Sequence, residues 1–180
     1  MASKEHYVIV SLTLGIIAAS GAGLIGLTNL VTKEKIAKNE ANKISAGICE
    51  IFGENAIILQ EFDKNSANFA HEYKYVTYIY QVADDSQNEL GFALKTTGSN
   101  MYGKISLIVG YQKSSQAFLG FTVVTNEQTF ATTLVDNYIR PVNTGIRDIN
   151  DTTCGATYGA KLIEAMVMEA KEAAKELWKE

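Results

Sequence analysis

Residues 73–83, YKYVTYIYQVA, alternate aromatic and β-branched residues with polar ones. This period of two is typical of a half-buried β-strand. A turn follows at residues 84–86, and three further strand patterns come after it, separated by the turn-like stretches GSNMYG and QKSSQA. The pattern predicts an antiparallel sheet built from residues 73–83, 90–97, 104–111 and 118–125.

After the sheet, residues 156–178 change to the period of a helix. Strands followed by a packed terminal helix predict an α+β fold, and we assign this domain to residues 56–180. The apolar residues of the helix lie on one stripe that is expected to cover the sheet: Leu162, Ile163, Met166, Val167, Ala170, Ala174, Leu177 and Trp178.

Before the domain, residues 7–31 contain no charged side chain. A helix of this length rises about 1.5 Å per residue and exceeds the hydrocarbon core of a bilayer, which is about 30 Å thick. We predict an uncleaved transmembrane helix here, behind a short tail at residues 1–6. A cleaved signal peptide is the alternative, although its apolar region would be shorter. The small residues of the segment indicate either packing against other membrane subunits or the ordinary use of glycine in membranes.

Residues 32–55 are predicted to form a membrane-proximal helical linker. Four isoleucines recur at roughly helical spacing, at positions 36, 44, 48 and 51. The apolar face is thin in the first half, so we expect that half to be solvated and the second half to be docked. The residues Gly53, Glu54 and Asn55 are expected to end the helix.

Composition excludes several classes of function. The 180-residue chain has a net charge of −4 and no basic cluster interleaved with aromatics, so no nucleic-acid partner is expected. Cys49 and Cys154 have neither the paired spacing of a zinc site nor that of a disulfide framework. We therefore expect no structural metal, and we interpret the two histidines, His6 and His71, as surface groups.

The informative motif is DTTCGAT at residues 151–157, where the β-rich region gives way to the last helix. Thr157 would lie in the first helical turn, where unpaired backbone N–H groups and a partial positive charge suit a phosphate. In the alternative interpretation, Asp151, Thr152 or Thr153 merely caps an ordinary helix.

The motif resembles the flavinylation motif of the FMN-binding domain that the RnfG component of the Rnf complex shares with the NqrC component of the sodium-pumping NADH:quinone reductase. The family motif is Asp, two variable residues, Ser or Thr, then Gly-Ala-Thr. The resemblance implies that the hydroxyl of Thr157 is joined to the phosphate of FMN, beside the small residues Gly155 and Ala156. It also implies that Asp151 is read by a flavin transferase that uses FAD and Mg²⁺.

Other parts of the chain follow or depart from this family pattern. Tyr102 and Gly103 resemble part of the family's glycine-containing strand pair, and we expect them to lie against the flavin ring, with ordinary packing as the alternative. Cys154 replaces the usual Ser or Thr and offers only a weak donor. Little remains of the family's Glu-Thr-Pro-Gly-Leu-Gly loop, where Glu127 either keeps a place near the flavin or is a plain surface carboxylate.

By resemblance, the chain is expected to relay electrons in an ion-translocating ferredoxin:NAD⁺ oxidoreductase of the Rnf type, with no turnover of its own. Its partners would be other membrane subunits of the complex. An NqrC-like part of a quinone reductase, a stand-alone extracellular flavin carrier and a cofactor-free anchored binding domain are the alternatives. The family places the domain on the outer face of the bacterial membrane. However, Lys33, Lys35, Lys38 and Lys43 follow the anchor, and the positive-inside rule favours the opposite orientation.

Overall fold

The structure is a computed structural model that describes the backbone of residues 2–67 and 69–178 and the side chains of residues 10–23, 32–67 and 69–178. The chain divides into two compact units, Met1–Asn42 and Lys43–Glu180. Helix α1, Ala2–Phe52, supplies the first unit and contributes its last residues to the second. The predicted boundaries at residues 6, 31 and 55 stay predictions.

The predicted membrane segment lies partly outside the described residues, because the side chains of residues 7–9 and 24–31 are among those not described. In the part of the chain that is described, no helix combines the length and the apolar character needed to cross a bilayer. The transmembrane helix at residues 7–31 therefore stays a prediction. The side chain of His6 also lies outside the described residues, whereas His71 is exposed as expected.

The second unit contains a five-stranded sheet in the order β1-β2-β3-β4-β5, in which all four neighbouring pairs are antiparallel. The predicted α+β class and antiparallel sheet are confirmed. The strands are β1 Ile57–Asp63, β2 Val76–Ala83, β3 Glu89–Asn100, β4 Gly103–Gln112 and β5 Phe118–Asn126.

Strand β1 is absent from the sequence prediction. It is an edge strand whose first five residues are all exposed, so its sequence IILQEFD lacks the alternation that identifies a half-buried strand. Two other differences concern the ends of strands. Strand β2 begins at Val76 and not at residue 73, and β3 runs on to Asn100 through the first half of the predicted GSNMYG turn.

Strand β2 is also more buried than its alternation indicates. Ile79 and the neighbouring Tyr80 point to opposite faces of the sheet, yet they are 0% and 2% exposed. Both faces are covered by helices, so Tyr80 and Val82 face a second core and not solvent. The prediction of a half-buried strand is wrong for this reason.

Helix α4, Thr157–Leu177, covers one face of the sheet with the stripe expected from its sequence. Ile163 and Met166 are 0% exposed and lie in the same core as Leu94, Leu107 and Val109 of the central strands. The residues that alternate with these strand positions face the other side of the sheet. This core fixes the position of the helix and of its first turn.

The last turns of helix α1 cover the other face. Ile44 and Ile48 are buried with Ala93 and Ile108 of the sheet, whereas Ile36 is 59% exposed. The helix ends at Phe52, and the next residue, Gly53, has a φ of 109°, a left-handed conformation that glycine adopts without strain. The burial of these isoleucines agrees with the expectation that the second half of the stretch is docked and the first half solvated.

Between sheet and final helix, the chain forms a short helical connection for which the sequence carried no prediction. It consists of α2 Ala131–Leu134, a π-helical turn Val135–Ile139 and α3 Arg140–Asn143. Leu134, Tyr138 and Ile139 bury their side chains in the core under α4. The connection thereby holds the loop at residues 144–156 beside the start of α4.

Candidate functional site

Thr157 is the first residue of helix α4, which is 21 residues long. The residue before it, Ala156, occupies the N-cap position and makes no side-chain cap hydrogen bond. The N–H groups of Gly159 and Ala160 both donate to the Ala156 carbonyl, at 3.0 and 3.1 Å. Within the described residues, this leaves the N–H groups of Thr157 and Tyr158 without an acceptor.

The alternative interpretation is wrong in one part, because no side chain of Asp151, Thr152 or Thr153 caps the helix. The Asp151 carboxylate accepts from the N–H of Thr153 at 3.3 Å and pairs with Arg147 at 3.1 Å, both within the loop that precedes the helix. Thr152 is 9% exposed and does not cap the helix. The side chains that usually satisfy the first turn of a helix are thus used elsewhere or absent.

Hydrogen bonds hold this loop in place. The guanidinium of Arg147 donates to the carbonyls of Asp151 and Thr153, at 3.1 and 3.0 Å. The phenol of Tyr138 donates to the carbonyl of Ile149 at 2.5 Å. Burial raises the pKa of Tyr138 above its usual range, with a further contribution from the charge of Glu164, so this phenol remains a donor.

A cavity of about 230 Å³ opens at the start of α4. Thr157 lies in its wall, with Gly155 and Ala156 from the motif and Tyr102 from the β3–β4 turn. The remaining lining residues are Gln128, Phe130, Leu134, Tyr158 and Gly159. The turn, the β5–α2 loop and the helix start are distant in sequence, and the fold brings them together at one end of the sheet.

Three aromatic rings surround the cavity. The ring of Tyr102 lies 5.5 Å from that of Tyr158 and 5.8 Å from that of Phe130, both in tilted arrangements. Phe130 is 51% exposed and Tyr158 is 62% exposed. Because these two rings are not buried in the core, they offer a surface on which a planar aromatic ligand can stack.

The predicted site residues fall into three groups. Thr157, Gly155, Ala156 and Tyr102 meet at the cavity. The other two motif residues, Asp151 and Cys154, line an adjoining groove together with Asn137, Arg147 and Thr153. Gly103 and Glu127 line neither.

Three of these remaining residues have a definite place. Cys154 is 6% exposed, and its carbonyl accepts from Asn137 Nδ2 at 3.2 Å. Gly103 has a φ of 134°, and a Cβ there would overlap the carbonyl oxygen of Glu127, so this glycine allows two backbones to meet. The side chain of Glu127 is exposed. Its neighbour Gln128 is buried and lines the cavity.

The sequence prediction missed Gln128, Phe130 and Tyr158. Of these three, only Tyr158 could have been found from the sequence. It directly follows Thr157, and an aromatic side chain on the polar side of a helix is unusual at a surface. Gln128 had no such signal, because its burial depends on the turn at Asn100 and Gly103 folding over it.

Residues 1–50 match the family model described as RnfG N-terminal region. The match confirms the resemblance to the FMN-binding family that includes RnfG and NqrC. It indicates a membrane-associated electron-transport subunit of the Rnf type that belongs to a complex of several subunits. No curated protein matches the chain.

Proposed function

We propose that this chain is the electron-relay subunit of an ion-translocating Rnf-type complex and carries FMN on Thr157 through a bond between its hydroxyl and the FMN phosphate. One observation carries the proposal. Thr157 stands in the uncapped first turn of a long helix, in the wall of a cavity that is lined by aromatic rings. The family match over residues 1–50 is independent of this site and supports the same function.

The residues of the site fit a flavin nucleotide. The free N–H groups of Thr157 and Tyr158 and the dipole of α4 favour a phosphate bound at the Thr157 hydroxyl. The rings of Tyr102, Phe130 and Tyr158 favour stacking with the flat isoalloxazine system. Gly155, with a φ of 81°, adds no side chain to the cavity wall near Thr157, which favours access by a transferase.

The size of the cavity favours a relay. Pockets that enclose a whole small ligand usually measure about 300–1,000 Å³, and this cavity measures about 230 Å³. A flavin nucleotide attached at Thr157 would therefore keep part of its surface outside the protein. An exposed edge is what electron exchange with another subunit requires.

A bound FMN would accept two electrons and release them singly, which is chemistry of the cofactor itself. The protein's own residues hold the phosphate, support the ring and limit its contact with water. No general acid or base of this chain is needed, and we propose that it has no turnover without its partners.

The proposal is tested by the mass of one tryptic peptide. Cleavage after Arg147 and Lys161 yields residues 148–161, which contain Thr152, Thr153 and Thr157. The full-length chain is produced in membranes of a host with and without the flavin transferase. We expect the mass of a bound FMN on this peptide only with the transferase, together with a flavin-fluorescent band in a denaturing gel.

Substitutions locate the modification. Thr157→Ala should abolish both signals, and Thr157→Ser, which keeps a hydroxyl, should retain some of them. Thr153→Ala is the matched control, because Thr153 is exposed, lies in the same peptide and occupies a variable position of the motif. An unmodified peptide from a host that has the transferase would contradict the proposal and leave a cofactor-free anchored domain.

The surroundings of the subunit are proposed from the family resemblance. We place the domain on the outer face of the membrane, in contact with membrane subunits that include another FMN-carrying one. Labelling of Lys38 by an impermeant amine reagent on intact cells tests the orientation. Purification together with large membrane subunits distinguishes the Rnf-type relay from a stand-alone carrier, and electron transfer from ferredoxin distinguishes it from an NqrC-like part of a quinone reductase.

A further inference from the structure

Gln128 has an unusual environment for a glutamine. It is 7% exposed and lies in the wall of the cavity at the start of α4. Its Nε2 donates to Asn100 Oδ1 at 3.1 Å and also to the carbonyl of Gly103. A glutamine amide has only two N–H bonds, so both are committed and the orientation of the amide is fixed.

The fixed orientation determines where the oxygen of this amide points. A Cβ placed on Gly159 would lie 3.3 Å from Gln128 Oε1, so the oxygen faces the first turn of α4, where Gly159 has no side chain. Among the described residues, no donor reaches this oxygen. Gln128 Oε1 is not one of the fully buried unpaired atoms, so it keeps access to the cavity that Gln128 lines. A ligand bound there can supply the donor that the protein does not.

We propose that Gln128 orients the ligand of the cavity by accepting a hydrogen bond at Oε1 from an N–H or O–H group. In a flavin nucleotide these donors are the imide N–H of the ring and the hydroxyls of the ribityl chain. The inference rests on the proposed function and deepens it, because it assigns the cavity a polar contact that no part of the motif provides. It also favours ligands with a donor over purely apolar rings.

The test compares the flavin-loaded full-length protein with two variants. Gln128→Met keeps the length of the side chain and removes the acceptor, and it should reduce the ratio of docked to undocked tethered flavin by about two- to tenfold, the worth of one hydrogen bond. Undocked flavin is measured as gained fluorescence, because it leaves the aromatic rings. Thr129→Val is the matched control. Thr129 donates to the carbonyl of Tyr102 in the same turn but does not line the cavity, so docking should not change.

The flavin absorption bands identify the donor. A shift of the visible bands in Gln128→Met means that the donor is the imide N–H of the ring, and increased fluorescence without a shift means that it is a ribityl hydroxyl. If fluorescence and absorption in Gln128→Met both equal those of the unsubstituted protein, the inference is wrong. If Gln128→Met does not fold, Gln128→Glu serves instead, since its protonated form keeps one acceptor and one donor. Its spectrum should approach that of the unsubstituted protein on acidification, and failure to do so would overturn the inference.

Failure of the inference is distinguishable from failure of the proposed function. The mass of peptide 148–161 reports attachment before any spectrum is recorded. If the peptide is unmodified, added FMN is the probe, and its binding to unsubstituted protein and to Gln128→Met is compared directly. Equal binding contradicts the role of Gln128, and weaker binding by the variant supports it.

Discussion

The two faces of the sheet differ in how much apolar surface they bury and in what they carry. Helix α4 packs on one face with nine buried residues and shares its core with the helical connection before it. The end of α1 packs on the other face through a much smaller core around Ile44 and Ile48. The cavity and Thr157 belong to the α4 face. The larger core is therefore the one that positions the site, because a first turn can be held accurately only when the rest of its helix is fixed.

Removing a large side chain from each core tests this comparison with the largest expected effect. Ile163→Ala, under α4, should lower the free energy of unfolding by about 2–5 kcal/mol, since a 0% exposed side chain leaves a cavity in closely packed surroundings. Ile48→Ala should fall in the lower part of that range, because the end of α1 has solvent on one side and can adjust. Urea unfolding of the full-length protein in detergent, followed by the fluorescence of the single tryptophan Trp178, measures both. Equal losses would contradict the proposed difference.

Substituting one glycine on each face tests the same comparison, with a smaller expected loss in the free energy of unfolding. A Cβ on Gly98 would meet Leu162 Cδ1 at 2.8 Å and Met166 Sδ at 3.0 Å in the α4 core. A Cβ on Gly110 would overlap Ile51 Cγ2 at the end of α1. We expect each Gly→Ala substitution to cost about 1–3 kcal/mol. Only Gly98→Ala should also change the fluorescence of an attached flavin, because it displaces α4. A flavin signal altered by Gly110→Ala and not by Gly98→Ala would reverse the assignment of the site to one face.

A hydrogen bond between sheet and helix should have a still smaller effect. The Tyr111 hydroxyl donates to the carbonyl of Val167 in α4 at 3.1 Å, and burial raises the pKa of Tyr111 so that it keeps its proton. Tyr111→Phe should lower stability by about 0.5–1.5 kcal/mol without changing the fold. Thermal unfolding monitored by near-ultraviolet circular dichroism measures the loss. No change in the midpoint would mean that this bond contributes nothing to the α4 face.

The α4 face should also respond to high pH. Burial raises the pKa of Tyr73 to about 12, with smaller contributions from its hydrogen bond to Glu176 and from the charge of that residue. The unfolded phenol titrates near 10, so between about pH 10 and 12 the unfolded state loses a proton that the folded state keeps. This stabilising contribution is complete below pH 10 and is lost as the pH rises through the folded pKa. Unfolding midpoints should decline over this window, and less in Tyr73→Phe; an identical decline in the variant would refute the assignment.

Much of the fold was predictable because it follows from local periodicity. The alternation in strands β2 to β5 and the stripe of α4 are features of neighbouring residues, so they identified four strands, the terminal helix and the α+β class. Strand β1 escaped because an edge strand with both sides exposed carries no alternation. The π-helical connection escaped because its helical form depends on burying Tyr138 and Ile139 in a core that other segments build.

The site divides in the same way. The residues 155–157 and Tyr102 were identified from the motif and its resemblance, and they do meet at one cavity. The cap of the alternative interpretation is not formed, because Arg147 and the N–H of Thr153 bind the Asp151 carboxylate within the loop. Glu127 and Gln128 are adjacent and polar, and the sequence does not show which of the two side chains is buried. In the fold Gln128 is the buried one, and its amide donates to Asn100 Oδ1 and to the Gly103 carbonyl.

By itself, the sequence determined the class of fold, the place of the last helix and the residue whose hydroxyl opens that helix, because spacing and short motifs act over a few neighbouring residues. Only the tertiary structure decided that this residue shares a cavity with three aromatic rings and a fixed amide. These groups come from the β3–β4 turn, the β5–α2 loop and the start of α4. The antiparallel pairing of β3, β4 and β5 brings the turn and the loop to the same end of the sheet.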